Sequence, residues 1–292
     1  MKKIMPHLWF DTQAKEATAL YAQLFKDSRV DNISQIKGTP SGDCDIVNFT
    51  LAGQQFMAIS AGPYFKLNPA ISLFTVFDNE EEIDRIWKTL ITGGKALMPL
   101  DKYPWAHKYG WLEDKYGLSW QLSLSDNHKM DQKITPMLMF TQDVAGKAKE
   151  AIESYTHIFP DSKIETVVPY VEGDEDKVGY IKHSQFRLNG QLFMAMDSSY
   201  SHKFTFNESI SFIVTCDSQK EIDYYWEKLS AVPDAEQCGW LKDKFGVSWQ
   251  IVPSAMNDMM EKGTEEQKKK VTEAFLKMKK FDIATLERAY KG

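Results

Sequence analysis

Residues 110–122 read GWLEDKYGLSWQL and residues 239–251 read GWLKDKFGVSWQI, nine of thirteen positions identical at a separation of 129 residues. The likeness extends outward in the same order in both halves. Ile4–Phe10 (IMPHLWF) matches Ile134–Phe140 (ITPMLMF), and Tyr21–Ser28 (YAQLFKDS) matches Tyr155–Ser162 (YTHIFPDS). Further on, Phe49–Ile59 matches Phe186–Met196, and Glu82–Leu90 matches Glu221–Leu229. A repeat of this length is long enough for each copy to bury its own core, unlike a solenoid unit. The expected organisation is a first domain at 1–126, a second at 132–254, and a helical extension at 255–292. A residue present in only one copy is not required by the shared fold.

Within the first copy the pattern reads strand, helix, then three strands. Ile4–Phe10 is a short apolar run, and Ala17, Leu20, Tyr21 and Leu24 recur at helical spacing. Strand-like runs follow around 30–37, 44–51 and 55–60. The same order then restarts with a strand at Ile71–Phe77 and a helix ending near Leu90, closing on a strand at Ser119–Leu124. Asn79 with Glu82, and Ser218 with Glu221, have the spacing of a capping box at that helix in each copy. The fold class is therefore α+β, each copy being a pair of βαβββ modules. After Ser254 two short helices are expected, opened by Thr264 and Gln267, with apolar stripes at Val271, Ala274, Phe275, Met278 and at Leu286, Ala289, Tyr290 that pack on a domain or a partner subunit.

The chain has 292 residues, 43% hydrophobic and 26% charged, with a formal net charge of -6. This composition supplies two cores and argues against a nucleic-acid or anionic-membrane partner, since no basic face interleaved with aromatics is present. No apolar run of about 18 residues is available to span a bilayer, and Met-Lys-Lys leads straight into a strand, so the expected location is the cytoplasm. Cys44, Cys216 and Cys238 are far apart and outside any CxxC, which indicates buried thiols rather than a disulfide framework or zinc site.

Paired βαβββ modules whose last strand follows a D-x-(Y/F)-G turn resemble the vicinal oxygen chelate superfamily of glyoxalase I, bleomycin-resistance proteins and extradiol dioxygenases. The segments GWLEDKYGLSWQL and GWLKDKFGVSWQI, the YAQLF and YTHIF helices and the tail KMKKFDIATLERA (277–289) are similar to its PhnB-like members, often labelled 3-demethylubiquinone-9 3-methyltransferase-like. The resemblance covers nearly the whole chain. It implies two tandem domains with open clefts, and either pairing within the chain or a homodimer. It does not fix the chemistry, because the superfamily hosts isomerases, dioxygenases, transferases and drug-sequestering proteins. Methyl transfer from S-adenosylmethionine usually relies on a doubly wound fold with a glycine-rich strand-to-helix turn, and Gly93-Gly94 instead follows a helix.

Metal-dependent relatives place His and Glu on cleft strands. Alternation on the first strand sends Met5, His7 and Trp9 toward the cleft, and on the last strand Ser119, Gln121 and Ser123. Gln121 thus stands where those relatives carry Glu, and the remaining strands supply nothing better: Phe56, Met57, Ala58 and Ile59 from one, Ser72 and Thr75 from the other. The second copy has Met137, Met139 and Gln250 at the His7, Trp9 and Gln121 positions. One imidazole and one amide fall short of a divalent-metal ligand set, so no metal and no cofactor are expected.

The copies differ most between Leu90 and Gly110, where the first has nineteen residues (91–109) and the second nine (230–238). This loop carries Tyr103, Trp105, His107 and Lys108 and is the expected wall of a ligand pocket. The leading expectation is a small-molecule-binding protein whose first-copy cleft uses Trp9, Tyr103, Trp105, Lys108 and Gln121. The enzymatic alternative is an isomerase or lyase with His7 or His107 as the proton-handling group, with a weakly bound divalent ion. A third alternative is a non-catalytic partner module.

Overall fold

The computed structural model describes residues 3–39, 41–125 and 131–292. The first repeat contains β1 (Ile4–Phe10), α1 (Ala14–Leu24), β2 (Arg29–Thr39), β3 (Gly42–Leu51) and β4 (Gln54–Ser60), then β5 (Ile71–Phe77), α2 (Glu80–Leu90), β6 (Lys95–Tyr103), β7 (Ala106–Glu113) and β8 (Ser119–Leu124). The second contains β9 (Ile134–Phe140), α3 (Ala148–Ile158), β10 (Lys163–Pro169), β11 (Ile181–Leu188) and β12 (Gln191–Asp197), then β13 (Ile210–Cys216), α4 (Gln219–Leu229), β14 (Trp240–Lys242) and β15 (Ser248–Pro253). The tail forms three helices where two were expected: α5 (Ser254–Lys262), α6 (Glu265–Phe275) and α7 (Ile283–Lys291). Among the described residues no helix is long and apolar enough to cross a membrane.

The strands form two sheets, and each draws on both repeats. One runs β14-β15-β13-β1-β4-β3-β2 and the other β10-β11-β12-β9-β5-β8-β7-β6. Strand β1 takes β4 of its own module on one edge and β13, from the far end of the chain, on the other. Likewise β5 lies between β8 and β9. An unpaired strand edge in the middle of a sheet leaves backbone donors and acceptors without partners, so each module must find a second module. Here it finds one in the other repeat.

What joins the two sheets is the recurring motif itself. Asp114, in the turn before β8, is buried and accepts from Tyr21 Oη on α1 (2.6 Å), Trp120 Nε1 (3.0 Å) and the backbone amides of Tyr116 and Leu118. Asp243 does the same with Tyr155 Oη (2.7 Å), Trp249 Nε1 (2.8 Å) and the amides of Phe245 and Val247. Burial pushes both carboxyls above their ordinary range, against four hydrogen bonds each that favour the anion. Because α1 packs on the strands of one sheet and Asp114 belongs to the other, each repeat is a tie between sheets. Gly117 and Gly246 close these turns at φ +88° and +90°, a region that favours glycine.

The motif's first glycine meets a different need. A Cβ on Gly110 would lie 2.5 Å from the Trp87 ring and 3.0 Å from the Leu100 backbone. On Gly239 it would lie 2.5 Å from the Phe281 ring. In the first repeat β6 covers this strand. The second repeat has no such strand among the described residues, and the tail stands in for it: the amides of Cys238 and Gly239 donate to the carbonyls of Met278 (2.8 Å) and Lys279 (2.7 Å). Phe281, Phe275 and Leu286 are buried there, and Thr264 and Gln267 form the expected capping box. Gly239→Ala, strained at φ +82° and colliding with Phe281, is expected to cost about 2–3 kcal/mol. Urea unfolding would register it; an unchanged midpoint would mean the tail docks independently of this contact.

Candidate functional site

Two long-range pairings decide which side chains share a surface. On β1, Ile4, Leu8 and Phe10 are buried on one face, leaving Met5, His7 and Trp9 on the other. Register sets His7 beside Met57 on β4 and Ser211 on β13, next to Gln250 on β15. His7 is only 2% exposed; its Nδ1 lies 3.4 Å from Ser211 Oγ, and its ring meets Trp240 edge-on at 5.4 Å. Burial lowers its pKa to about 3, so the imidazole is neutral. Trp9 donates from Nε1 to the Gly62 carbonyl (2.8 Å) and packs against Phe65 and Trp240.

Gln121 belongs to the other sheet. It accepts from Tyr109 Oη (2.8 Å) and donates to Ser72 Oγ (2.7 Å), while the matching Gln250 donates to Ser211 Oγ (3.0 Å). His7 and Trp9 therefore do not share a first-repeat cleft with Gln121, Trp105 and His107, as the sequence suggested, because β1 and β5 of one repeat never pair. Thr75 is likewise corrected: it is fully buried on the opposite side of β5 from Ser72.

The stretch read as a loop is a β-hairpin. Strands β6 and β7 form the edge of the eight-stranded sheet, with Pro104 and Trp105 at the turn. Tyr103 and Trp105 stack at 5.1 Å and 25°, both approaching the buried Tyr109 ring edge-on. This wall bounds a cavity of about 540 Å³. Phe74, Val76 and Met194 line it, and Lys102, His107, His183 and Gln185 supply polar groups. Lys108 is not among them. It points to α2, where it bridges Glu80 (2.9 Å) and Asp84 (2.6 Å).

His183, Gln185 and Met194 come from the second repeat and were missed by reading each copy alone. Alternation on β11 does set His183 and Gln185 opposite the buried Ser184 and Phe186, a signal that needed only the sheet order to be useful. Gln185 Nε2 lies 3.4 Å from His183 Nε2, and burial lowers the pKa of that imidazole. A second cavity, of about 480 Å³, touches Trp9 and Phe65 at one end. Of its charged groups, Lys95 pairs with Glu113 (2.6 Å) and Lys115 with Glu16 (2.6 Å), while Asp11 and Lys66 also line it.

The side chains on neither sheet face suit a divalent cation. The strand positions that would hold one carry His7, Met57, Ser211 and Gln250 in one sheet and Met137, Met194, Ser72 and Gln121 in the other, with no carboxylate in either set. Among the described residues no three His, Cys, Asp or Glu side chains gather as a metal site. S-adenosylmethionine chemistry fits no better: Gly93-Gly94 ends α2, and a Cβ on Gly94 would lie 2.2 Å from the Glu113 carbonyl.

A family model described as 3-demethylubiquinone-9 3-methyltransferase matches residues 2–123 and again 132–252. No curated protein matches the chain. Among solved structures, a PhnB protein from Bacillus cereus is 41% identical over 42% of this chain and 99% of its own, with a TM-score of 0.40. Glyoxalase I from Zea mays is 10% identical over 86% of this chain and 94% of its own, with a TM-score of 0.55, a likeness of fold.

Proposed function

Since the chain belongs to the family described as 3-demethylubiquinone-9 3-methyltransferase, built here as two tandem glyoxalase-fold units, we propose that it binds a small, partly aromatic molecule in the cavity beside the β6–β7 hairpin, without a tightly held metal. The observation that carries this reading is the pairing of a stacked Tyr103–Trp105 wall with a facing apolar and imidazole-bearing surface from the other repeat. A cavity of about 540 Å³ is in the range that encloses small ligands. Trp105 is 60% exposed, an indole face available to stack.

Thermal-shift and titration screening against quinones, dicarbonyls and aromatic antibiotics tests this. Trp105→Ala should weaken any hit roughly tenfold, and deletion of residues 104–108 should abolish it. Hits of unchanged affinity in both variants would move binding away from this cavity. An isomerase or lyase reading is favoured by one observation, that His107 and His183 line the same cavity. It predicts turnover of a bound carbonyl compound that falls on replacing either histidine by glutamine while binding persists.

A further inference from the structure

We propose that this cavity selects a flat aromatic molecule carrying an anionic group, an aryl carboxylate being the simplest case; the inference rests on the binding reading above and names its ligand class. The flat component follows from a wall that is already fixed. Tyr103 Oη donates to the Pro99 carbonyl (3.0 Å), which holds that ring against Trp105. Tyr109, beneath both, is anchored through Gln121 to Ser72 on the central strand β5. A planar ring can stack on a preorganised aromatic face with little ordering cost, and Phe74, Val76 and Met194 offer it an apolar floor.

The anionic component follows from the polar rim. Lys102 lines the cavity and, among the described residues, makes no ion pair, whereas Lys108 is held on the other side between Glu80 and Asp84. An ammonium can only donate hydrogen bonds. Across the cavity, Gln185 Nε2 lies 3.4 Å from His183 Nε2, and burial, which lowers the pKa of that imidazole, disfavours a second positive charge there. The chain has 41 acidic side chains, yet the described residues lining this cavity include no Asp or Glu. A carboxylate here is drawn to the Lys102 charge with no described acid lining the cavity to oppose it, whereas an ammonium is repelled by it.

The test is calorimetric titration of the full chain with three compounds of one shape: 2-naphthoate, 2-naphthalenemethanol and 2-naphthylmethylammonium, at low salt. The expected order is carboxylate tightest, roughly fivefold over the alcohol, and the ammonium weakest. Lys102→Glu should reverse the order of the two ions and leave the alcohol unchanged; Trp105→Ala should weaken all three. Equal affinities that still depend on Trp105 would overturn the charge selection and leave the binding reading standing. If none of the three binds while the broader panel gives Trp105-dependent hits, the ligand class alone is overturned. Absence of binding in both sets overturns the class together with the binding reading.

Discussion

Replacing Asp114 by alanine is expected to destabilise the chain by about 4 kcal/mol, with Asp243→Ala costing a similar amount. Each carboxylate is the common acceptor for a tyrosine hydroxyl, an indole N–H and two turn amides in a buried setting. Its removal strands four donors where water cannot easily replace it, and each stranded group costs about 1–3 kcal/mol before relaxation. Tyr21→Phe removes a single donor and leaves the other three in place, so about 1 kcal/mol is expected. Urea denaturation of the three variants checks the ordering. If Asp114→Ala cost no more than Tyr21→Phe, the aspartate would not be the organising acceptor.

The second large effect lies in acid. In the unfolded chain His7 takes up a proton as the pH falls through about 6.5, but the folded imidazole, with its pKa lowered to about 3 by burial, does not. Between these values the unfolded state binds more protons. Stability contributed by the neutral ring is therefore present above about pH 6.5 and is lost progressively as the pH falls, by up to about 1.4 kcal/mol per unit. Methionine fills the same position in the second repeat, where Met137 is 3% exposed. His7→Met should gain about 2.5 kcal/mol relative to the wild type at pH 4.5, compared with their difference at pH 7.5. The carboxylates titrate in both proteins, so the difference isolates His7. Parallel stability curves across this window would show that His7 is not a buried neutral base.

Much of this was legible in the residues. The repeat gave the modules and the capped helices, and alternation separated His7, Trp9 and Gln121 from the neighbouring core residues of their strands. Sheet order was not legible. Strands β1, β5, β9 and β13 are all short apolar runs, and nothing local distinguishes a neighbour in the same repeat from one in the other. That ambiguity hid His183 and Gln185 and wrongly joined His7 to Gln121. The β6–β7 hairpin was hidden differently: Pro99 and Pro104 and three register shifts against β7 break the alternation, which an edge strand tolerates. Lys108 was misassigned although it directly follows His107, and adjacent strand residues face opposite ways.

The pairing of His7 with Ser211 spans 204 residues, and this has a kinetic side. A chain emerging from the ribosome completes β1–β4 early, but the outer edge of β1 has no partner until Ile210–Val214 has been made. The β5–β9 contact, by contrast, spans 59 residues from Thr75 to Ile134 and can close earlier. Synthesis therefore builds the eight-stranded sheet, with its cavity, before the seven-stranded one. High contact order makes that last closure the slow step, and the exposed edge of β1 is the segment most open to mispairing while it waits.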